Sequence, residues 1–151
     1  MTEETYCILP LAEEHLEEVA HLESLCFSEP WSVASLRFLL SEAACGVVAL
    51  SPAGRVLGYG GMVIAPDEGQ ITNVAVHPDS RRMGVGRAVT EALAAEAHRR
   101  SLPSVSLEVR ASNLPAVALY ESLGYAVAGK RRNFYRHPTE DALVMICPLN
   151  P

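Results

Sequence analysis

A chain of 151 residues, 49 % of them apolar, is long enough for one domain with a single core. Its formal charge of −6 argues against general nucleic-acid binding, and no apolar run approaches the roughly 20 residues of a membrane span. The acidic start, MTEETY, has no hydrophobic segment of the signal-peptide kind, and Cys7, Cys26, Cys45 and Cys147 form no C-x-x-C pair, so they read as free thiols of a cytoplasmic protein.

Taken in order, Tyr6 to Leu9 alternates weakly and reads as a first strand. Leu11 to Leu25 reads as a helix with Leu11, His15, Leu16, Val19, Leu22 and Leu25 on one face and glutamates opposite. Ser32 is an N-cap candidate for a second helix to about Ser41. Strands follow at about 45–50 and 55–65 across a Ser51-Pro52-Ala53-Gly54 turn, and Asp67-Glu68-Gly69 leads into a strand at 70–76. A helix at 85–100 buries Val85, Val89, Ala92 and Leu93 and ends in His98-Arg99-Arg100, cations that suit a C-terminus. Ser104 to Val109 alternates as a buried strand. Leu114 to Leu123 is a short helix with Pro115 in its first turn, stopped by Gly124. Two last strands, about 125–135 and 141–148, flank a His137-Pro138 turn. Strand, helix 85–100 and strand form a crossover, so those two strands are parallel, and the hairpins imply antiparallel neighbours elsewhere. The whole is an α/β fold, a mixed, mostly antiparallel sheet of about seven strands with helices on both faces.

The densest signal is Asn73 to Arg87, NVAVHPDSRRMGVGR. A strand ends in a turn, two arginines follow, and Gly84 and Gly86 open a helix. Free backbone N–H groups, the positive end of the helix dipole and the cations make an anion site, and glycine lets the backbone approach a phosphate. A Walker A loop is excluded because the only lysine is Lys130. A Rossmann loop fits poorly. Val89 stands where its third glycine belongs and seven residues part Val76 from Gly84, although Glu108 sits where a ribose-binding acid would.

Arg81-Arg82-Met83-Gly84-Val85-Gly86 resembles the acetyl-CoA pyrophosphate loop of the GCN5-related N-acetyltransferases, the GNAT superfamily. LEVRASN (Leu107–Asn113) and ALYESLGY (Ala118–Tyr125), with Pro30-Trp31-Ser32 and Arg131-Arg132-Asn133-Phe134-Tyr135, are similar to its bacterial ribosomal-protein-alanine N-acetyltransferase branch, the RimI group. The resemblance runs from about Phe27 to the C-terminus. It implies a single GNAT domain over 1–151, with the parallel strands splayed around the pantetheine and acetyl-CoA as the donor, held by Val74, Ala75, Val76, Arg82, Met83, Gly84, Val85, Gly86, Arg87 and Asn113. It implies no metal, a protein N-terminus as acceptor, with a ribosomal protein as one candidate, and neither nucleic acid nor membrane as partner.

Acetyl transfer from a thioester to an amine needs a base, oxyanion donors and an acid for the departing thiolate. Glu108 ends an apolar strand, where a carboxylate needs a partner or a task; a salt bridge to Arg110 or another arginine is its bland alternative. The resemblance makes it the general base. Tyr120, twelve residues on, is the general acid by the same resemblance and a core tyrosine otherwise. The same resemblance implies a backbone N–H on 73–76 as the oxyanion donor. Asn113 is a cofactor contact, an N-cap, or both. Phe27, Trp31, Phe134 and Tyr135 wall the acceptor site or pack the core. The turn after Tyr135 and the segment before Phe27 depart from the RimI pattern, which leaves a lysine or small-molecule acetylase, or a non-catalytic acyl-CoA-binding module, as alternatives. Residues 1–36 hold eight carboxylates (Glu3, Glu4, Glu13, Glu14, Glu17, Glu18, Glu23 and Glu29) and no Lys or Arg, a face that attracts a basic partner or is merely solvated.

Overall fold

The structure is a computed structural model, and it describes residues 5–149. Seven strands form one sheet in the order β1-β2-β3-β4-β5-β7-β6. They are β1 Cys7–Pro10, β2 Ala44–Leu50, β3 Val56–Ile64, β4 Gly69–Val76, β5 Ser104–Arg110, β6 Ala126–Tyr135 and β7 Glu140–Pro148. Every neighbouring pair is antiparallel except β4 and β5. Four helices complete it: α1 Leu16–Cys26, α2 Val33–Arg37, α3 Val85–Arg99 and α4 Leu114–Ser122.

The expected first helix is shorter than its apolar pattern. Glu13–His15 is a 3-10 turn and α1 starts at Leu16, yet Leu11 still joins the core. The second helix tightens into a 3-10 turn at Phe38–Leu40, and Ser32 caps it by accepting the Ser35 N–H at 3.1 Å.

Two apolar layers sandwich the sheet. On one face Leu16, Val19, Leu22, Leu36 and Leu39 from α1 and its successors pack on Val48, Val56, Tyr59 and Ala75. On the other, Val85, Val89, Leu93 and Ala97 of α3 pack on Met62, Ile71, Val105 and Leu107. The α3 side is close because β3 reads Gly58-Tyr59-Gly60. A Cβ on Gly60 would stand 2.5 Å from Val89 Cγ1, so only glycine admits the helix at this depth.

A β-bulge interrupts β4. Gly61 pairs with Asn73 and Met62 with Ile71, which leaves Thr72 as the extra residue. Strict alternation would put Ile71 and Asn73 on one face. The bulge separates them: Ile71 packs with α3, whereas Asn73 and Ala75 face the α1 side.

Candidate active site

The parallel pairing of β4 and β5 is short. Gly69, Gln70 and Ile71 register with Val105, Ser106 and Leu107, and nothing beyond is paired, although β4 runs on to Val76 and β5 to Arg110. The strands therefore part midway across the sheet. Backbone parity tells which groups line the gap. His77 donates to the Leu57 carbonyl on the β3 side, so Ala75 and Asn73 also face β3 while Val74 and Val76 face the gap. In agreement, the Val76 carbonyl accepts from Cys26 Sγ at 3.5 Å.

One cavity, of about 690 Å³, runs from the gap to the start of α3. Val74, Ala75, Val76, Arg82, Gly84, Val85, Gly86, Arg87 and Asn113 all line it, together with Arg81. Gly84 is the N-cap of α3 at φ 78, with no side-chain cap over the helix end. The N–H groups of the first turn have no intrahelical acceptors, so they and the arginines present positive charge to the cavity. This fits the pyrophosphate of a coenzyme A thioester. Met83 does not line the cavity; it packs against the core, and its carbonyl accepts from Tyr6 Oη at 3.2 Å. Asn113 caps α4 by accepting the Ala116 N–H at 3.3 Å and also lines the cavity, so its two expected roles are compatible.

A second cavity, of about 660 Å³, lies on the other side of the junction. Glu108 and Tyr120 line it, as do Phe27, Trp31, Phe134 and Tyr135. Phe27 and Phe134 are exposed, so they are wall residues and not core packing. The two cavities share Cys26, Phe27, Val74, Asn113 and Ala116. The two cavities therefore meet at one junction.

Glu108 is not a lone carboxylate. Its side chain is 31 % exposed and the Arg131 guanidinium lies against it, in an ion pair and not an aligned hydrogen bond. Arg110 is not its partner. That guanidinium pairs with Glu140 at 3.4 Å and stacks 4.5 Å above the Tyr135 ring. The Tyr120 phenol is buried, has no hydrogen-bond partner among the described residues, and packs edge-on against Tyr125 at 5.9 Å. Burial pushes its pKa up, so the proton stays on at neutral pH. Burial, with the Glu108 charge beside it, pushes the Tyr135 phenol to about 12.

The acidic N-terminal third is less free than its composition suggests. Glu13 pairs with Arg37 at 2.6 Å, Glu18 accepts the Val56 N–H at 2.8 Å, and Glu23 is buried. Glu3 and Glu4 lie outside the described residues. Glu29 is exposed on the rim of the second cavity.

Two wall residues escaped the sequence reading. Glu23, on α1, is 1 % exposed and accepts from the Trp31 N–H at 2.9 Å, from Asn73 Nδ2 at 3.0 Å and from the Tyr59 hydroxyl. Its place four residues after Val19, within the buried stripe of α1, was the available signal. Asn73 carried no such signal, because only the bulge turns it towards α1.

Residues 16–125 match the acetyltransferase (GNAT) family. The chain belongs to that family. It is 38 % identical over 134 residues to the [ribosomal protein bS18]-alanine N-acetyltransferase of Escherichia coli strain K12, covering 86 % of this chain and 88 % of that one. The N-alpha-acetyltransferase RimI of Mycobacterium tuberculosis is 31 % identical over 85 % of this chain and 84 % of its own. The crystal structure of the ribosomal-protein-S18-alanine N-acetyltransferase from Escherichia coli superposes with a TM-score of 0.90 at 34 % identity, covering 97 % and 96 % of the two chains.

Proposed function

We propose that this chain transfers the acetyl group of acetyl-CoA to the N-terminal α-amine of a protein, with the N-terminal alanine of a ribosomal protein as its acceptor. The observation that carries the reading is the junction, where a cavity holding a carboxylate and a phenol without a hydrogen-bond partner among the described residues meets a cavity built on a cationic helix start. Similarity along most of the chain to the Escherichia coli enzyme supports the choice of acceptor.

In this reading the pyrophosphate sits on the N–H groups at 84–87, and the thioester carbonyl takes a hydrogen bond from the Val74 N–H in the gap. A peptide α-ammonium has a pKa of about 7.7–8.0, so much of it arrives charged. Glu108 leaves Arg131 for the ammonium and takes its proton, directly or through a water. The amine attacks the carbonyl carbon, the N–C bond forms and the Val74 N–H steadies the oxyanion. The C–S bond breaks, Tyr120 gives its proton to the departing thiolate, and the second proton that the nitrogen sheds on becoming an amide passes through solvent to restore the phenol. No helix among the described residues is long and apolar enough to cross a membrane. The work belongs in the cytoplasm, where the four free cysteines stay reduced.

The test is a panel of peptides with acetyl-CoA, read by mass spectrometry. A peptide beginning with alanine gains one acetyl group at its α-amine. Faster acetylation of an internal lysine or of a free small amine overturns the assignment. Comparison of protein N-termini from cells with and without the chain then names the acceptor.

A further inference from the structure

Asn73 is 8 % exposed and stands in the wall of the acceptor cavity, immediately before Val74, which borders both cavities. The orientation of its carboxamide is fixed by its neighbour. Asn73 Nδ2 donates to Glu23 Oε2 at 3.0 Å, the same oxygen that receives the Tyr59 hydroxyl, so the carboxamide nitrogen faces Glu23. The oxygen therefore points away from Glu23. Asn73 Oδ1 is closed to bulk water and accepts no hydrogen bond among the described residues. A buried acceptor left without a donor is costly, and such groups are rare away from functional sites. Glu23, Tyr59 and the Thr72 bulge all act to hold it there.

We propose that Asn73 is a binding residue for the acceptor amine. Its Oδ1, covered in the free protein, is uncovered as the acceptor enters the cavity and accepts one N–H of the α-ammonium, and Glu23 with Tyr59 is the positioning pair that keeps the carboxamide turned that way. The α-ammonium carries three N–H bonds. One proton goes to Glu108, and a second N–H held by Asn73 fixes the direction in which the freed lone pair points, towards the carbonyl above Val74. Glu23 also accepts the Trp31 N–H, so the same carboxylate ties the acceptor wall to the strand that holds the donor. The inference rests on the α-amine reading of the acceptor.

The experiment compares two peptides of one sequence, one beginning with alanine and one with a propionyl group, which lacks only the α-amine. Their affinities for the CoA-saturated protein are measured by calorimetry, without turnover, for wild type, Asn73→Val and Asn73→Ala. Valine suits a strand and removes the acceptor, and the affinity for CoA reports the fold. In wild type the alanyl peptide binds more tightly. In the variants that advantage falls by roughly ten- to hundredfold while the propionyl peptide binds as before. Equal loss for both peptides means that Asn73 is structural and overturns the inference, as does an undiminished alanyl advantage. Wild-type protein that prefers the alanyl peptide but does not acetylate it would fault the catalytic reading and leave the amine contact standing.

Discussion

Arg131 reaches from β6 over the intervening strand β7 to place its guanidinium against the Glu108 carboxylate on β5. In the proposed reaction the cation occupies the place that an acceptor ammonium needs. With the two side chains 62 % and 31 % exposed, the pair is worth no more than about 1 kcal/mol to the fold.

Glu108→Gln is therefore expected to keep the stability of the protein within about 1 kcal/mol. Turnover falls by about 10²–10⁴, the usual range for a general base, with CoA affinity unchanged. Urea unfolding and steady-state kinetics on one preparation check both. A variant that fails to fold, with no separate loss of rate, makes Glu108 a structural partner of Arg131.

Tyr120→Phe keeps the edge-on packing with Tyr125 and removes only the proton donor. The expected outcome is native stability and cofactor affinity with slower acetyl transfer, and a changed alkaline limb of the rate profile. Wild-type turnover with an unaltered limb would assign Tyr120 to packing alone.

Gly84→Asp should abolish CoA binding. A Cβ there meets only Tyr6 Oη at 3.6 Å, so the site has room. What fails is a side chain at φ 78 and a carboxylate set against the pyrophosphate. Calorimetry that finds unchanged affinity places the phosphate site elsewhere.

Acceptors with a basic second residue should be favoured, and Glu29 should account for the preference. Of the exposed carboxylates Glu14, Glu17 and Glu29, only Glu29 lines the second cavity. We expect kcat/KM for an Ala-Arg peptide to exceed that for Ala-Glu at low salt, and the ratio to shrink at high salt and in Glu29→Gln. Equal values at low salt remove the electrostatic part of the specificity.

Stability should fall steeply in alkali. Burial pushes up the phenols of Tyr59, Tyr120, Tyr125 and Tyr135, the last to about 12. A phenol of the unfolded chain titrates near 10. Folded-state pKa values raised above that mean the native protein holds protons that the unfolded chain releases. The stability is complete below pH of about 10 and is lost as pH rises through about 12. Urea midpoints at pH 8 and pH 11 should differ, and Tyr59→Phe should reduce the difference. Identical midpoints contradict the burial of these rings.

Local chemistry made most of the fold readable. The α3 stripe at Val85, Val89 and Leu93, the Asn113-Leu114-Pro115 start of α4 and the stop at Gly124 each follow from steric or capping rules that act within a few residues. The glycine-opened loop was legible for the same reason. What escaped depended on distant partners. Arg131 meets Glu108 only because β7, the last strand in sequence, inserts between β5 and β6. Asn73 meets Glu23, fifty positions earlier, only because Thr72 bulges. Neither the insertion nor the bulge has a short-range sequence signature. The N-terminal helix was misjudged in length because Leu11 is buried from a non-helical backbone, so burial and helical period coincided without being the same thing.

The three-residue seam between β4 and β5 leaves the Val74 and Val76 amides without a strand to pair with. In the proposed binding mode a pantetheine arm laid between them does what a neighbouring strand does elsewhere, bonding a backbone that the polypeptide leaves open. Ligand bound only by the native state adds resistance to unfolding in proportion to the logarithm of its concentration. At a hundredfold excess over the dissociation constant this amounts to about 2.7 kcal/mol, a large share of a small domain's stability. The amide protons of the gap should accordingly exchange quickly in the free protein and slow when coenzyme A is added. A cell short of the donor would lose not only the rate of the reaction but also part of the protein's protection against proteolysis.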